Sequence, residues 1–414
     1  MKLEKYSIGT GDRFGCQGKA QLKAVIKAQK DGLNLAIVWN KSHREHSITK
    51  TNPSDVLYEA QNAVEELKWK GNYYIDADHI NLSNVDSYID TCNFFTLDVA
   101  EFMGKKDSVA NINKFIAKYK KHTESLFFPD SKELLIVNKI QLKNIAEKYL
   151  FAIREASRIY HKIREKKEDE HFLVEISMDE SKEPQTPTEV FFILAAIVNE
   201  GIPINTFAPK FCGKFYKAID YKGNIAQFTK EFENLNLIIQ LAKQQFSLPD
   251  DLKLSIHSGS DKFSIYKSVN EIIKKYDIGI HLKTSGTTWL AELNGLAASG
   301  YEGLEIIKEI YNKAYYRFDE LCAPYKSVVN IDQEKLPSPK IVKNWTADQY
   351  IRALNHDESC IDYNPHFRQL LHVSYKIAAE MNSQYIKALK KYEEFITPKV
   401  IENLYERHIK KLFL

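Results

Sequence analysis

The sequence predicts an α/β protein built on a closed (β/α)8 barrel of the TIM type. Three observations favour this fold: eight short apolar runs typical of strands, amphipathic helical stretches between most of them, and a length of 414 residues. Alternating strands and helices indicate a parallel sheet. Eight such units favour a closed barrel of about 250 residues over the alternative, an open doubly wound sheet.

The predicted strands occur in a regular order through the first 300 residues. The stretches between them, such as 18–32 and 264–277, carry apolar residues at the i, i+3, i+4 spacing of a helix with one buried face. The predicted strands are residues 6–12, 34–39, 72–78, 94–100, 172–178, 204–210, 252–258 and 278–284.

One insertion and one extension depart from this order. Residues 105–170, between the fourth and fifth strands, are mostly charged and helical in pattern, and residues 301–414 are helical with few strand signals. We therefore expect a barrel over residues 1–300 that contains the insertion 105–170. A helical C-terminal extension, residues 301–414, is expected to pack on this barrel.

The composition excludes several classes of protein. The formal charge of +3 gives no support to nucleic-acid or membrane binding. The five cysteines form no CxxC pair, so neither a disulfide framework nor a thiolate zinc site is indicated. The amino terminus lacks the apolar core of a signal peptide, and the apolar run 190–198 is too short to cross a bilayer. We expect a cytoplasmic protein with no nucleic-acid or membrane partner, and its oligomeric state stays open.

Polar residues collect where the predicted strands end, whereas the beginnings of the strands carry few polar groups. In a barrel of this type the active site lies at the carboxyl ends of the strands, so the asymmetry is typical of an enzyme. The polar strand-end residues are Asp12, Arg13, Asp76, Asp78, His79, Asp98, Glu101, Glu175, Ser177, Asp179, Lys210, His257, Ser258, Ser260, Asp261, His281, Lys283 and Thr284.

Three of these residues are histidines at the ends of separate strands: His79, His257 and His281. Three imidazoles that meet at one barrel mouth form a plausible metal site with an open position for substrate. Zn, Mn, Co, Ni and Fe all accept imidazole, so the identity of a divalent cation stays open. The alternative for each histidine is a hydrogen-bonded packing residue.

The stretch "YYIDADHINL" at residues 73–82 raises a difficulty, because alternation along a strand sends Asp78 and His79 to opposite faces. Both can reach the barrel mouth only if the strand ends or bulges there. Asp76 is expected to orient a ligand or to pair with a lysine.

Glu175 lies in the middle of the fifth strand, between Val174 and Ile176. Burial should raise the pKa of its carboxyl group, which suits a general acid. The alternative is a structural ion pair with an inward lysine. Lys210 and Lys283 are candidates to hold a substrate carboxylate, and either could instead be a Schiff-base lysine or the partner of Glu175.

The chain resembles the tagaturonate epimerase family, the tagaturonate/fructuronate 4-epimerases of hexuronate catabolism. The matching segments cover most of the chain outside residues 105–170 and are long enough to make chance similarity improbable. They read "SIGTGDRFG", "DADHINL", "VEISMDE", "QTPTEVFFILAAIVNEGIP", "APKFCGKF", "LKLSIHSGSDKFSIY", "IHLKTSGTTWLAELNGLAASG", "YNPHFRQLLHVSYKIAAEM" and "ENLYERHI".

The resemblance implies a divalent metal held by histidines and an acid–base pair of Asp and Glu. Carried onto this chain, the metal ligands are His79, His257 and His281, the proton acceptor is Asp78 and the donor is Glu175. Four further strand-end residues are assigned to binding of a small keto-uronate substrate: Arg13, Lys210, Asp261 and Lys283.

The implied reaction inverts a hydroxyl-bearing carbon two positions from the ketone. Retro-aldol cleavage followed by re-addition explains this inversion, because the C–H bond at that carbon is not acidified by the ketone. Deprotonation and reprotonation is the competing route, and the sequence does not decide between them. Two other functions fit the same residues: a metal-dependent aldolase or ketose isomerase acting on sugar acids, and a sugar-acid-binding protein without catalysis.

Overall fold

The protein is described by a computed structural model that covers residues 1–123, 126–127, 134–135, 137–168, 171–284 and 286–414. Eight parallel strands close into a barrel, in which each strand pairs with the next along the chain and the eighth pairs with the first. This arrangement confirms the predicted (β/α)8 barrel. The strands are β1 (Tyr6–Gly11), β2 (Leu35–Ser42), β3 (Tyr73–Ile80), β4 (Phe94–Asp98), β5 (Leu173–Ser177), β6 (Thr206–Ala208), β7 (Lys253–Ile256) and β8 (Ile280–Thr284).

Helices follow the strands and then form the C-terminal third of the chain. The α-helices are α1 (Gly18–Lys30), α2 (His43–Thr49), α3 (Pro53–Glu66), α4 (Val109–Tyr119), α5 (Lys139–Lys167), α6 (Pro187–Asn199), α7 (Ile225–Gln245), α8 (Phe263–Lys275), α9 (Thr287–Ala298), α10 (Tyr301–Tyr316), α11 (Phe318–Cys322), α12 (Pro339–Lys343), α13 (Ala347–Leu354), α14 (Pro365–Val373), α15 (Tyr375–Glu380), α16 (Ser383–Lys391), α17 (Glu393–Ile401) and α18 (Lys410–Phe413), with a π-helix at Glu402–Ile409 before α18. No helix in the described ranges is both long and apolar enough to cross a membrane.

The interior of the barrel is apolar at one end and polar at the other. Alternation along β5 illustrates the pattern, because Val174 and Ile176 pack outwards against the helices whereas Leu173 and Glu175 point inwards. The apolar floor at the amino ends of the strands is formed by Leu3, Ala36, Val38, Tyr74, Phe94 and Leu173. The buried polar layer above it contains Ser7, Asp76, Thr96, Glu175, Thr206, Ser255 and His281.

The segment predicted as an insertion contains one of the barrel's own helices. Helix α5, 29 residues long, packs against α6 and β4 and occupies the position between β4 and β5. The part that departs from the barrel pattern comprises α4 and a short antiparallel pair, Leu126–Phe127 with Leu134–Leu135. The division into residues 1–300 and 301–414 stays a prediction.

The C-terminal helices form a second core and then return to the barrel. Helix α9, which follows β8, packs with α10, α13 and α17 and belongs to the apolar core of the extension. The π-helix Glu402–Ile409 and α18 instead pack against α1 and α8 and join the barrel core. The end of the chain therefore completes the ring of helices around the barrel. Contacts of Arg368 with Asp261 and of Tyr375 with Arg13 place the extension at the carboxyl ends of the strands.

Candidate active site

The end of β3 bulges and brings two neighbouring side chains into the barrel mouth. The register between β3 and β4 shifts after Ala77, and His79 has a left-handed backbone with φ of 52°. Both features mark a β-bulge, which re-aims the side chains that follow it. As a result Asp78 reaches Lys283 inside the barrel, while the His79 ring lies 5.1 Å from the His257 ring between centroids. This bulge confirms the prediction that the strand ends or bulges at Asp78 and His79.

Three ligand groups converge at this mouth, and we call them the triad: His79, Asp179 and His257. Each offers one nitrogen or oxygen atom, and these atoms all lie within 4.8 Å of one another. Nδ1 of His257 is 3.1 Å from a carboxylate oxygen of Asp179. Two imidazoles and one carboxylate, with a side left open, form a ligand set that several divalent metals accept.

A carboxylate orients each histidine of the triad from its other side. Nε2 of His257 lies 2.6 Å from Oε1 of Glu175, and Nδ1 of His79 lies 3.4 Å from Oδ2 of Asp98. Histidines that bind metals usually donate their second ring N–H to such a group, which fixes the tautomer and the ring orientation. The triad therefore fits a metal by its surroundings as well as by its ligand atoms.

Negative charge dominates around the triad and stabilises positive charge on its histidines. Burial would lower the pKa of His79, but Asp78 and the neighbouring carboxylates raise it to about 10. Burial also opposes the shift at His257, whose pKa is raised above its usual value mainly by Asp179. A divalent cation would take the place of these protons and gain from the same carboxylates.

The third predicted ligand, His281, lies outside the triad. Its side chain does point into the barrel, but the register pairs it with Ser255, two residues before His257 and thus deeper in the barrel. Its Nδ1 lies 2.9 Å from Oγ of Ser7. Among the described residues, the structure brings Asp179, and not His281, to the other two predicted ligands.

Lys283 is the internal counter-ion of the acidic residues. Its Nζ is 2.7 Å from Asp76, 2.7 Å from Asp78 and 3.4 Å from Glu175. Burial would lower the pKa of Lys283, but these three carboxylates raise it well above the ordinary value. The predicted pairing of Asp76 with a lysine is confirmed. Lys283 itself is paired with three carboxylates, and its predicted role in holding a substrate carboxylate stays a prediction.

Glu175 is fully buried beneath the triad and makes several hydrogen bonds. Thr96 and Thr206 donate to its two oxygens at 3.1 Å and 2.8 Å. Burial would raise its pKa, but the positive charges of His257 and Lys283 outweigh burial and hold the pKa well below its usual range. The expectation of a raised pKa was therefore wrong, because the sequence gives the burial of the strand but not the cations on other strands.

Asp261, predicted to bind substrate, instead anchors the C-terminal extension. Its carboxylate lies 3.1 Å from Nη2 of Arg368 and 3.5 Å from Nδ1 of His356, and its backbone N–H donates to Nε2 of His408 at 3.0 Å. Only 1% of the Asp261 surface is exposed, and the cation of Arg368 outweighs burial and lowers its pKa well below the usual value. These contacts fix the loop after β7, which carries His257.

Two other residues predicted to bind substrate lie at the rim. Nη1 of Arg13 is 2.5 Å from Oε1 of Glu45, and its guanidinium stacks on the ring of Tyr375 at 3.8 Å from the centroid. Lys210 follows β6, and its backbone N–H donates to Oε1 of Gln185 at 2.8 Å. The substrate-binding role of Lys210 stays a prediction.

Sequence reasoning missed the role of Asp179 and of the residues that orient the triad. A signal for Asp179 exists, because alternation from Glu175 through Ser177 continues to the inward side at Asp179. No comparable signal marks the loop residue Lys217, whose Nζ donates to Oγ of Ser258 at 2.9 Å beside the triad.

The chain matches known proteins over its whole length. A model of the tagaturonate epimerase family matches residues 1–412. The chain is 27% identical to a tagaturonate/fructuronate epimerase of Thermotoga maritima, over 97% of this chain and 80% of that protein.

Solved structures show the same fold. The chain superposes on a fructuronate-tagaturonate epimerase from Cohnella laeviribosi in complex with glycerol, with a TM-score of 0.82 and 23% identity. The match covers 100% of this chain and 82% of that one. The native structure of the Cohnella laeviribosi enzyme gives a TM-score of 0.79 at 22% identity, with the same coverage of 100% and 82%. Because the family model spans nearly every residue, the protein belongs to the tagaturonate epimerase family and is an enzyme of the isomerase class.

Proposed function

We propose that this protein is a metal-dependent epimerase that interconverts D-tagaturonate and D-fructuronate in hexuronate catabolism. Membership in the family supports the reaction and the substrates. The observation that carries the metal dependence is the triad, whose ligand atoms lie within 4.8 Å of one another and whose histidines are each backed by a carboxylate. A sugar-acid-binding protein has no need of this combination.

His79, Asp179 and His257 would hold the divalent cation, which can be Zn, Mn, Co, Ni or Fe on ligand chemistry alone. When bound, the cation supplies a Lewis acid that withdraws electrons from the substrate's ketone oxygen. Glu175 and Asp98 keep the two imidazole rings in place. These roles make Glu175 and Asp98 positioning residues.

Asp78 is the residue we assign to proton transfer. Its carboxylate faces the triad, with an oxygen 3.8 Å from Nε2 of His79, and Lys283 holds that same oxygen at 2.7 Å. Burial would raise its pKa, but Lys283 and His79 lower it below the ordinary value, so Asp78 is ionised and able to accept a proton. Only 6% of its surface is exposed, which suits a base in an enclosed site.

We propose the retro-aldol route for the inversion. Asp78 takes the proton of the hydroxyl group on the carbon to be inverted, and the C–C bond between this carbon and its neighbour next to the ketone breaks. The bonding electrons pass into an enediolate and the carbon becomes an aldehyde. After the aldehyde turns over, the enediolate attacks its other face and Asp78 returns the proton to the new alkoxide. Atoms and charge balance without a redox partner.

The predicted donor, Glu175, contributes to this scheme indirectly. It is 0% exposed, and its side chain contacts Thr96, Thr206, His257 and Lys283 instead of the open mouth. We therefore propose that Glu175 positions His257 and that Asp78 alone exchanges the proton with the substrate.

The direct test is incubation of the metal-loaded protein with D-tagaturonate, followed by analysis for D-fructuronate. We expect conversion that stops when a chelator removes the cation and resumes when the cation is restored. Equal conversion by the chelated protein would contradict the metal dependence. Release of two stable fragments would identify an aldolase instead.

Reaction in deuterated water separates the two routes. Retro-aldol chemistry moves only the hydroxyl proton of the inverted carbon, so the C–H bond there should carry no deuterium after one turnover. Stoichiometric deuterium at the inverted carbon would contradict the retro-aldol route and support deprotonation and reprotonation.

A further inference from the structure

We propose that Lys217, Arg13 and His372 form the subsite that binds the carboxylate of the substrate, at the rim opposite the floor of the barrel. This inference rests on the proposed function, because only a sugar-acid substrate requires such a subsite. Lys217 comes from the loop between β6 and α7, Arg13 from the loop after β1, and His372 from α14 in the C-terminal extension. The three residues are therefore separated widely in the sequence.

Lys217 has no ion-pair partner among the described residues. Its Nζ donates to Oγ of Ser258, the residue that follows His257, at 2.9 Å. Within the described ranges, no carboxylate lies within ion-pair distance of this amino group. Burial lowers the pKa of Lys217 below its ordinary value, and the nearby carboxylates of Asp179 and Asp78 oppose this shift. Lys283, by contrast, has three carboxylate partners. Lys217 is thus available to an anion beside the triad.

His372 lies one helical turn after Arg368, a residue that contacts the loop carrying Lys217. Nε of Arg368 donates to the carbonyl oxygen of Ala218 at 2.7 Å, and residues four apart on a helix share a face. Burial lowers the pKa of His372 well below its usual value, with Arg13 and Lys217 adding to the effect, so the ring is neutral. The ring is 2% exposed, and its Nδ1 has no partner among the described residues.

Gly286, which has no side chain, leaves room for His372 and Arg13 to approach each other. It has a φ of 80° and precedes α9, whose first turn is not capped by a side chain. A Cβ atom at this position would clash with Cε1 of His372 and would lie 2.6 Å from Nη2 of Arg13. The N–H groups of the first turn and the dipole at the start of α9 favour an anion at the same place. The buried Nδ1 of His372, beside this helix end, has no hydrogen-bond partner among the described residues.

The arrangement divides the mouth into two chemical halves. The triad and Asp78 suit the hydroxyl and ketone oxygens of a sugar, whereas Lys217, Arg13 and His372 suit a carboxylate. Glu45 partly neutralises Arg13, so we assign the main contact with the carboxylate to Lys217, which has no ion-pair partner among the described residues. A keto-uronate with its carboxylate on Lys217 would present its remaining carbons towards the triad.

The test compares the keto-uronate with the neutral ketohexose that has a hydroxymethyl group in place of the carboxylate. We expect Lys217→Met to raise KM for the keto-uronate about 10- to 100-fold, the usual effect of losing a charge-assisted hydrogen bond. The inhibition constant of the neutral ketohexose and the metal content should stay within about twofold, since neither depends on the lost charge. Lys217→Arg should restore most of the affinity for the keto-uronate. Equal weakening of both sugars, or an unchanged KM, would overturn the assignment.

Two controls keep the outcomes distinct. Lys214→Met changes an exposed lysine in the same loop and should leave both constants unchanged. The wild-type protein gives an independent measurement, because it should bind the keto-uronate at least about 10-fold more tightly than the neutral ketohexose. Equal affinities would overturn the carboxylate subsite even if no variant were soluble. Failure of the wild-type protein to convert tagaturonate refutes the proposed function, whereas conversion with an unaltered carboxylate preference in Lys217→Met refutes only this subsite.

Discussion

Two halves of the barrel mouth differ in how their charges are balanced. In the half formed by strand residues, Lys283 contacts three carboxylates. One of these, Glu175, also orients His257, and Asp98 orients His79. In the half formed by loops and the C-terminal extension, the partner of Lys217 among the described residues is a hydroxyl group, and Nδ1 of His372 has no partner among them.

The difference indicates separate tasks for the two halves. Buried charges that are already paired fix the positions of ligands and of the proton acceptor, because moving any one of them leaves another uncompensated. Lys217, which has no carboxylate partner among the described residues, and Nδ1 of His372 can still form hydrogen bonds with a substrate. The strand half is therefore suited to the cation and the chemistry, and the loop half to recognition of the sugar acid.

The largest effect should follow from removing a triad ligand. Asp179→Ala should lose bound metal and lower kcat/KM by about 10³-fold, because Lewis-acid stabilisation contributes several kcal/mol. Metal analysis of the purified variant together with epimerisation rates measures both losses. His281→Asn is the matched control, and it should keep the full metal content because His281 lies outside the triad. Metal loss in His281→Asn with retention in Asp179→Ala would reverse the assignment.

Removal of the internal counter-ion should destabilise the fold. Lys283→Met leaves Asp76, Asp78 and Glu175 without their shared partner, so we expect the free energy of unfolding to fall by about 3 kcal/mol. Urea denaturation measures this change. Lys313→Met removes a surface pair with Glu309 at 2.7 Å and should have little effect. Similar losses in the two variants would contradict the role of Lys283.

Loss of the charge on Glu175 should weaken metal binding without abolishing it. Glu175→Gln keeps the shape of the side chain but removes the carboxylate that orients His257, and such changes cost about 10- to 100-fold in metal affinity. Competition with a chelator measures the affinity. If Glu175 were the proton donor, the variant would instead bind metal normally and lose the acid limb of its pH–rate profile.

The smallest of these effects concerns Gly286, at the border of the two halves. Gly286→Ala places a side chain at a φ of 80° and against His372 and Arg13, so we expect a loss of about 1–2 kcal/mol in unfolding free energy. KM for the keto-uronate should rise as well, while metal content stays unchanged. Gly32→Ala, where no atom lies within 4 Å of the added Cβ and φ is 86°, serves as the control for backbone strain without the clash. An unchanged KM in Gly286→Ala would separate this position from the substrate site.

The sequence predicted the strand half well because strands alternate with a period of two. That period places His257, His281 and Lys283 on the inner face, and it also exposes the conflict at Asp78 and His79 that only a bulge resolves. The period does not give depth along the barrel. His281 pairs with Ser255 and lies too deep, whereas Asp179, beyond the end of β5, lies at the level of the triad.

The loop half could not be predicted from any local pattern. The segments that carry Lys217 and His372 are joined because Arg368 binds the carbonyl group of Ala218, a contact between segments about 150 residues apart. The pKa of Glu175 was predicted in the wrong direction for the same reason, since His257 and Lys283 belong to other strands. The period of two predicts on which face of a strand a side chain lies. The residues that this side chain contacts follow only from tertiary packing.

The most direct test of this account is the location of the cation in a crystal of the metal-loaded protein. An anomalous difference map should show one peak about 2.0–2.3 Å from ligand atoms of His79, Asp179 and His257, the normal range for these donors. A peak bound by His281, or no peak near the triad at full metal occupancy, would contradict the site on which the proposed epimerisation depends.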